Sequence, residues 1–196
     1  MIDNRVLPRS FYARPTVEVA RDLLGKVVAH RVGDSLLAGR IVETEAYLGG
    51  DDEAAHSHAG LTARTRVIFG PAGHAYVYLI YGMHHCLNFV AERDGVAGCV
   101  LIRAVEPLWG IEAMLAARPN VRHAHELANG PGKLTRALAV DRRHYGADLT
   151  SGTLTVRQLA DEDSPEIRVT PRIGISKSKE LPLRFLIAHN RAVSRR

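Results

Sequence analysis

The chain has 196 residues, 46% hydrophobic and 24% charged, with a formal net charge of +5, which suits one globular domain with a substantial core and excludes a disordered or fibrous chain. No apolar run is long enough to cross a bilayer, and the opening MIDNRVLPRSFYARP lacks the apolar middle of a signal peptide. Two cysteines, Cys86 and Cys99, are too few for a disulfide framework, so a cytoplasmic protein with reduced thiols is expected.

The predicted elements run as follows. Pro15 to Leu24 has helical apolar spacing, with proline at its start and Gly25 just past its end. Lys26–Arg31 and Leu36–Leu48 read as strands joined by a turn at Gly33-Asp34-Ser35. Residues 49–62 form a polar loop, and Ala63–Phe69 a short helix carrying Arg64 and Arg66. Three strands follow at His74–Ile80, His85–Glu92 and Gly98–Val105, the first two linked tightly through Tyr81-Gly82-Met83-His84. Helical patterns occupy Leu108–Ala117 and Gly132–Val140, and short strands Leu154–Gln158 and Leu183–Ile187. No linker or repeat interrupts the chain. Neighbouring strands joined by hairpins are antiparallel. The expectation is an α+β single domain over residues 1–196, with a mostly antiparallel curved sheet, flanking helices and a protruding β-hairpin. Residues 1–10 and 191–196 are expected to be flexible ends.

The stretch RIVETEAYLGG, residues 40–50, raises the question of chemistry. On a strand Glu43, Glu45 and Tyr47 share one face, and Val42, Thr44 and Ala46 share the other. A solvated polar face is the ordinary reading of a glutamate on a strand. The alternative is the wall of an active site, where a carboxylate desolvated by aromatic surface has a raised pKa and serves as a base. Tyr81 at a hairpin tip either folds back onto the domain or acts as a wedge that parts stacked bases in a minor groove. Tyr76 and Tyr78 share a face that is either core or a stacking surface for a base. The mild basicity suits a polyanionic partner such as nucleic acid.

Metal chemistry has its own candidates. His56, His58, His84 and His85 are the possible ligands of a zinc-dependent hydrolase, with Cys86 beside them. His85 and Cys86 are adjacent and point to opposite faces of a strand, and no C-x-x-C, H-E-x-x-H or deaminase-type spacing occurs. No metal and no cofactor are expected. Gly130-Pro-Gly-Lys133 lacks the spacing of a phosphate loop; as a helix start its free N–H groups could hold a DNA phosphate. A non-catalytic nucleic-acid-binding domain remains the other alternative.

The segments RIVETEAYLGGDDEAAHS, AYVYLIYGMHHCLNF, VLIRAVEP, NGPGKLTRALAV and PLRF, in this order between Phe11 and Phe185, resemble the 3-methyladenine (alkyladenine, or methylpurine) DNA glycosylase family. The resemblance implies a monofunctional base-excision-repair enzyme. It would flip damaged, alkylated or deaminated purines out of duplex DNA and hydrolyse the N-glycosidic bond. Double-stranded DNA would be its partner, the protein a monomer and nucleoid-associated through DNA. By the same resemblance Glu45 matches the base that activates water, and Arg103 an arginine that helps hold that water and a phosphate. Tyr47, His56 and Tyr78 match the residues that sandwich the flipped base. Asn88 matches the residue that crowds the 2-amino group of guanine, and Tyr81 the side chain that fills the vacated stack. Arg172 to Ile175 match a segment whose backbone lines the pocket. Arg64, Arg66, Met83 and Lys133 are expected DNA-backbone contacts. His84 stands where the family often has an aromatic. Glu43 is expected to be structural, paired with an arginine.

Overall fold

Thirteen residues, Ser35–Tyr47, make one long strand, β3, around which the fold is organised. The structure is a computed structural model that describes residues 2–159 and 165–194. Along one edge β3 pairs with β2 (Val27–Val32) through its first half and with β9 (Arg184–Ile187) at Glu43–Glu45. Along the other edge it pairs with β6 (Cys99–Trp109) for almost its full length. The β4 (Ala75–Ile80) and β5 (His84–Val90) hairpin continues the sheet beyond β6. On the far side β2 leads to β7 (Leu154–Leu159) and β1 (Ile2–Val6), while β8 (Ile167–Thr170) pairs with β9. Every pairing is antiparallel, and the nine-stranded sheet curls on itself, as the α+β expectation requires.

Among the described residues four short helices flank the sheet: α1 (Arg9–Tyr12), α2 (Thr16–Asp22), α3 (Ile111–Ala117) and α4 (Pro131–Ala137). The α2 helix covers one face of β3, where Thr44 Oγ1 donates to the Ala20 carbonyl at 2.8 Å. The main core lies here, with Val19, Leu23, Val42, Ala46, Phe89 and Ile102 all fully buried. No helix among the described residues is long and apolar enough to cross a membrane.

Two expectations change. The helix drawn from Leu108 starts at Ile111, because Leu108 and Trp109 complete β6, with Trp109 opposite Ala38. Gly110, at φ 74°, then turns the chain; a Cβ there would lie 2.5 Å from the Leu36 carbonyl oxygen. The helix over Ala63–Phe69 shrinks to a 3₁₀ turn at Arg66–Phe69, while Thr65 instead bonds back to Thr62 and Gly60. Strands β1 and β8 and helix α1 are too short to carry a periodic signal, and the sequence did not mark them. Of the tail expected to be flexible, Arg195 and Arg196 lie outside the described residues, as does Met1 at the other end.

Candidate active site

The β3–β6 ladder is irregular where it matters. Ile41 pairs with Val105 and Glu43 with Ala104, so Val42 is an extra residue on β3. Thr44 then pairs with Ile102, so Arg103 is an extra residue on β6. The two bulges cancel in register, and a bulge re-aims the side chains around it. Here they bring Arg103 between the two glutamates of β3.

Glu45 is fully buried. Three groups donate to it among the described residues. Its Oε2 accepts from the Tyr47 hydroxyl at 2.9 Å and from an Arg103 terminal nitrogen at 3.3 Å, and its Oε1 accepts from the Ile173 N–H at 2.9 Å. Burial pushes its carboxyl above the usual range, while Arg103, the Ile173 N–H and the Tyr47 hydroxyl pull the other way and do not cancel it. Burial alone would lower the Arg103 pKa, but the carboxylates of Glu45 and Glu43 outweigh it and raise it. Glu43, also fully buried, accepts from Arg103 Nε at 3.0 Å, Arg184 Nε at 2.7 Å, Ser194 Oγ at 2.9 Å and the Ser194 N–H at 2.7 Å.

A cavity of about 350 Å³ opens in front of these groups. Tyr47, Arg103 and Ile173 line it, so the residues that donate to Glu45 form the wall between it and the cavity. The same cavity is lined by His56, Tyr78, Asn88, Tyr81 and His84. The His56 and Tyr78 rings meet edge-on at 4.6 Å, and His56 Nδ1 lies 2.9 Å from the Tyr76 hydroxyl. Desolvation in this aromatic cluster, reinforced by the Arg64 charge, lowers the His56 pKa to about 4, so its ring is neutral near pH 7. Asn88 is buried and anchored through Nδ2 to the Tyr76 carbonyl at 3.0 Å. Cys86 and Cys99 sit at the cavity floor, and burial raises both thiols, Cys99 to about 12.

A closed ion pair fixes the rim. Arg172 and Asp52, both buried, share two hydrogen bonds of 2.6 and 2.8 Å. Arg172 also donates to the Ala46 carbonyl and lies 4.6 Å over the Tyr47 ring. Asp52 accepts from the backbone N–H groups of Leu48 and Ala54. The pair ties the loop after β3 to the segment that presents Ile173.

The remaining expected residues spread around this centre. Tyr81 stands at the hairpin tip, 82% exposed, with Met83 beside it at 71%. Arg64 is exposed and lines a neighbouring groove behind the aromatic wall, where its Nε donates to the Tyr76 hydroxyl at 3.2 Å and its guanidinium lies 5.1 Å from the Tyr78 ring centre. Arg66 is exposed in the same groove with Arg142 and Tyr145. Lys133 donates to Asn129 Oδ1 at the start of α4. His56, His58, His84 and His85 are not gathered around one point. Among the described residues no three of His, Cys, Asp and Glu are placed to share a metal ion, so the geometry does not assemble the zinc site that these histidines suggested. The sequence reading missed Asp52, Arg184 and Ser194. Asp52 lay in the polar loop without a visible partner, and the other two sit far along the chain from the strand they bind.

Residues 10–191 match the methylpurine-DNA glycosylase family. A protein from Methanocella arvoryzae is 51% identical over 198 residues, covering 97% of this chain and 96% of its own. One from Koribacter versatilis is 52% identical over 191 residues, covering 96% and 92%. One from Methanoculleus marisnigri is 52% identical over 193 residues, covering 97% and 99%. All three carry the provisional name of 3-methyladenine DNA glycosylase.

Proposed function

The chain belongs to the methylpurine-DNA glycosylase family, and from that premise we propose that it excises alkylated and deaminated purines from duplex DNA, with Glu45 as the base that activates water. The observation that carries this reading is the Glu45 carboxylate: buried, with a raised pKa, and held by hydrogen-bond donors that themselves line an aromatic cavity.

A purine inside a duplex is out of reach, so the nucleotide rotates out of the stack. Tyr81, exposed on its hairpin, takes the vacated space and slows return. Tyr47, Tyr78 and His56 then stack on the extrahelical base, at about 1–3 kcal/mol for a base on an aromatic. The aromatic faces also attract a cationic methylpurine, a contact worth about 0.5–2 kcal/mol. The neutral His56 ring adds no opposing charge. Asn88, held by the Tyr76 carbonyl, crowds the purine edge where guanine carries its 2-amino group.

In the reaction the water oxygen bonds to C1′ of the sugar, and the C1′–N9 electron pair leaves with the purine. The proton lost by water goes to Glu45. A carboxylate offers about four acceptor positions, and the donors described fill three of them, which leaves one acceptor position for the attacking water. The negative charge of Glu45 also favours the positive sugar that develops as the bond breaks. A cationic base departs neutral; a neutral one such as hypoxanthine must gain a proton on leaving. Strand cleavage through a Schiff base would need a lysine in the pocket. Lys133 is the nearest candidate in the motifs, and it is not among the residues that line the cavity, which favours an abasic site in an intact strand as the product.

The test is single-turnover base release from a duplex bearing one hypoxanthine and from methylated DNA, with EDTA present. Wild type releases base. Glu45→Gln loses about 10²–10⁴-fold in rate and keeps duplex binding. Release from neither substrate by wild type, or an undiminished rate in Glu45→Gln, sinks the reading.

A further inference from the structure

Glu43 opens β3's polar face together with Glu45, yet no step of the reaction uses it. It does not line the cavity, and its side chain is wholly enclosed. A buried charge in such a place is costly unless it is paired and hydrogen-bonded. Glu43 is both. Arg103, Arg184 and both donors of Ser194 converge on its two oxygens at 2.7–3.0 Å.

The decisive detail is which nitrogen of Arg103 goes where. Its Nε–H, the donor nearest the stem, is taken by Glu43 at 3.0 Å, and a terminal nitrogen reaches Glu45 at 3.3 Å. The guanidinium is a rigid planar fork, so fixing Nε fixes the plane. Without Glu43 the nearest anion to Arg103 would be Glu45 alone. The arginine would then be free to close on Glu45 with two nitrogens, in the bidentate geometry that arginine and carboxylate prefer. That would fill the acceptor position that water needs.

We infer that Glu43 is a positioning residue, which holds Arg103 by its Nε–H and so keeps it from closing over Glu45, and that Ser194 and Arg184 lock Glu43 in that role. The inference rests on Glu45 and Arg103 being the groups at the reacting sugar. It explains why both edges of β3 are engaged at this point. Arg103 comes from the bulge on β6, and Arg184 from β9 on the other edge. Ser194, from the segment after β9, meets the strand through its own N–H and hydroxyl. Arg184 in turn is tied to Thr170 Oγ1 on β8 at 3.3 Å. A carboxylate beside the reacting one is thus coupled to the outer end of the sheet.

The experiment is the pH profile of single-turnover base release for wild type, Glu43→Gln, Glu43→Asp and Glu45→Gln. Among the described residues the charged and titratable groups around Glu45 are Arg103 and Glu43, with Arg172 behind the Tyr47 ring, Tyr47 itself as a donor and the Cys86 thiol of β5, which burial keeps neutral. Removing the Glu43 charge removes a repulsion that raises the Glu45 pKa, and frees Arg103 to pair with Glu45 more closely. Both effects favour ionised Glu45. The expected result for Glu43→Gln is therefore a rate about 100-fold lower, the scale for a misplaced reacting group, with the acid limb moved to lower pH. Glu43→Asp keeps the charge but withdraws it from Arg103, and recovers part of the rate with a smaller displacement in the same direction. A slower rate on an unmoved limb means a merely structural role and overturns the inference, as does a wild-type profile in Glu43→Gln. Should Glu43→Gln not fold, an unmoved limb in Glu43→Asp overturns it equally. An undiminished rate in Glu45→Gln is the separate outcome that removes the underlying reading of the site.

Discussion

At the scale of single residues the site is defined by a carboxylate that the fold keeps at a disadvantage. Burial raises the Glu45 pKa above its ordinary 4.5. The folded state therefore holds the Glu45 proton more tightly than the unfolded chain does. By linkage, this group's contribution to stability is fully present below the unfolded value and is lost as pH rises through the folded one. The proposed role needs the base form, so on that role rate and stability move in opposite directions over the same pH window. Two results are expected. The acid limb of wild-type activity lies above pH 4.5. Glu45→Gln, which cannot ionise, has a melting temperature at pH 7 no lower than that of wild type, and its advantage shrinks as pH falls toward the unfolded value; a calorimetric pH series checks both the sign and the window. That an inactive variant holds its stability is the mark of a site residue retained for chemistry.

At the scale of elements the β4–β5 hairpin carries a residue that its turn disfavours. Tyr81 and Gly82 have φ of 52° and 68°, and the Met83 N–H bonds to the Ile80 carbonyl at 3.2 Å, the pattern of a type I′ turn. Glycine is at home there; a tyrosine is not, and its ring is left in solvent. Tyr81→Gly is expected to stay within about 1 kcal/mol of wild-type stability, while binding to a lesion-bearing duplex weakens by about 1–3 kcal/mol, the worth of one aromatic stacked on bases. Thermal melting beside a duplex titration separates the two. The turn itself was legible in the sequence because Tyr81-Gly82 interrupts two clean alternating runs. Leu108 and Trp109 were misread because their apolar spacing continues into α3, and only the pairing of Trp109 with Ala38 on β3 places them in a strand. Tertiary pairing overrides local periodicity at such a junction.

At the scale of the whole molecule, charges far apart in the chain close the site. Arg172 and Asp52 are separated by 120 positions and meet with both side chains buried. Burial would raise the Asp52 pKa, but Arg172 and the Leu48 and Ala54 N–H groups together hold it below its ordinary 3.8. A depressed carboxyl stabilises the fold above its unfolded pKa, and that contribution is lost as pH falls through the folded value. Asp52→Asn leaves Arg172 buried without its counter-ion, a change of about 3–5 kcal/mol for a buried pair. The variant is expected to melt well below wild type at neutral pH, and the gap to narrow below pH 3.8. The sequence made the strands and the polar face of β3 legible because they are local and periodic. It singled out Glu45, Tyr47 and Tyr78 through unbroken motifs. It could not supply the partners of Glu43 or Asp52, since nothing in a linear pattern distinguishes Arg184 or Ser194 from any other arginine or serine.

The floor of the cavity adds a matter of self-preservation. Alkylated bases are made by electrophiles, and a cysteine becomes a target of electrophiles as the thiolate. Burial keeps Cys86 and Cys99 protonated above neutral pH, so the two sulfurs that line the cavity fill space without offering a nucleophile. The reagents that create the damage would find the duplex reactive and the floor of this pocket inert.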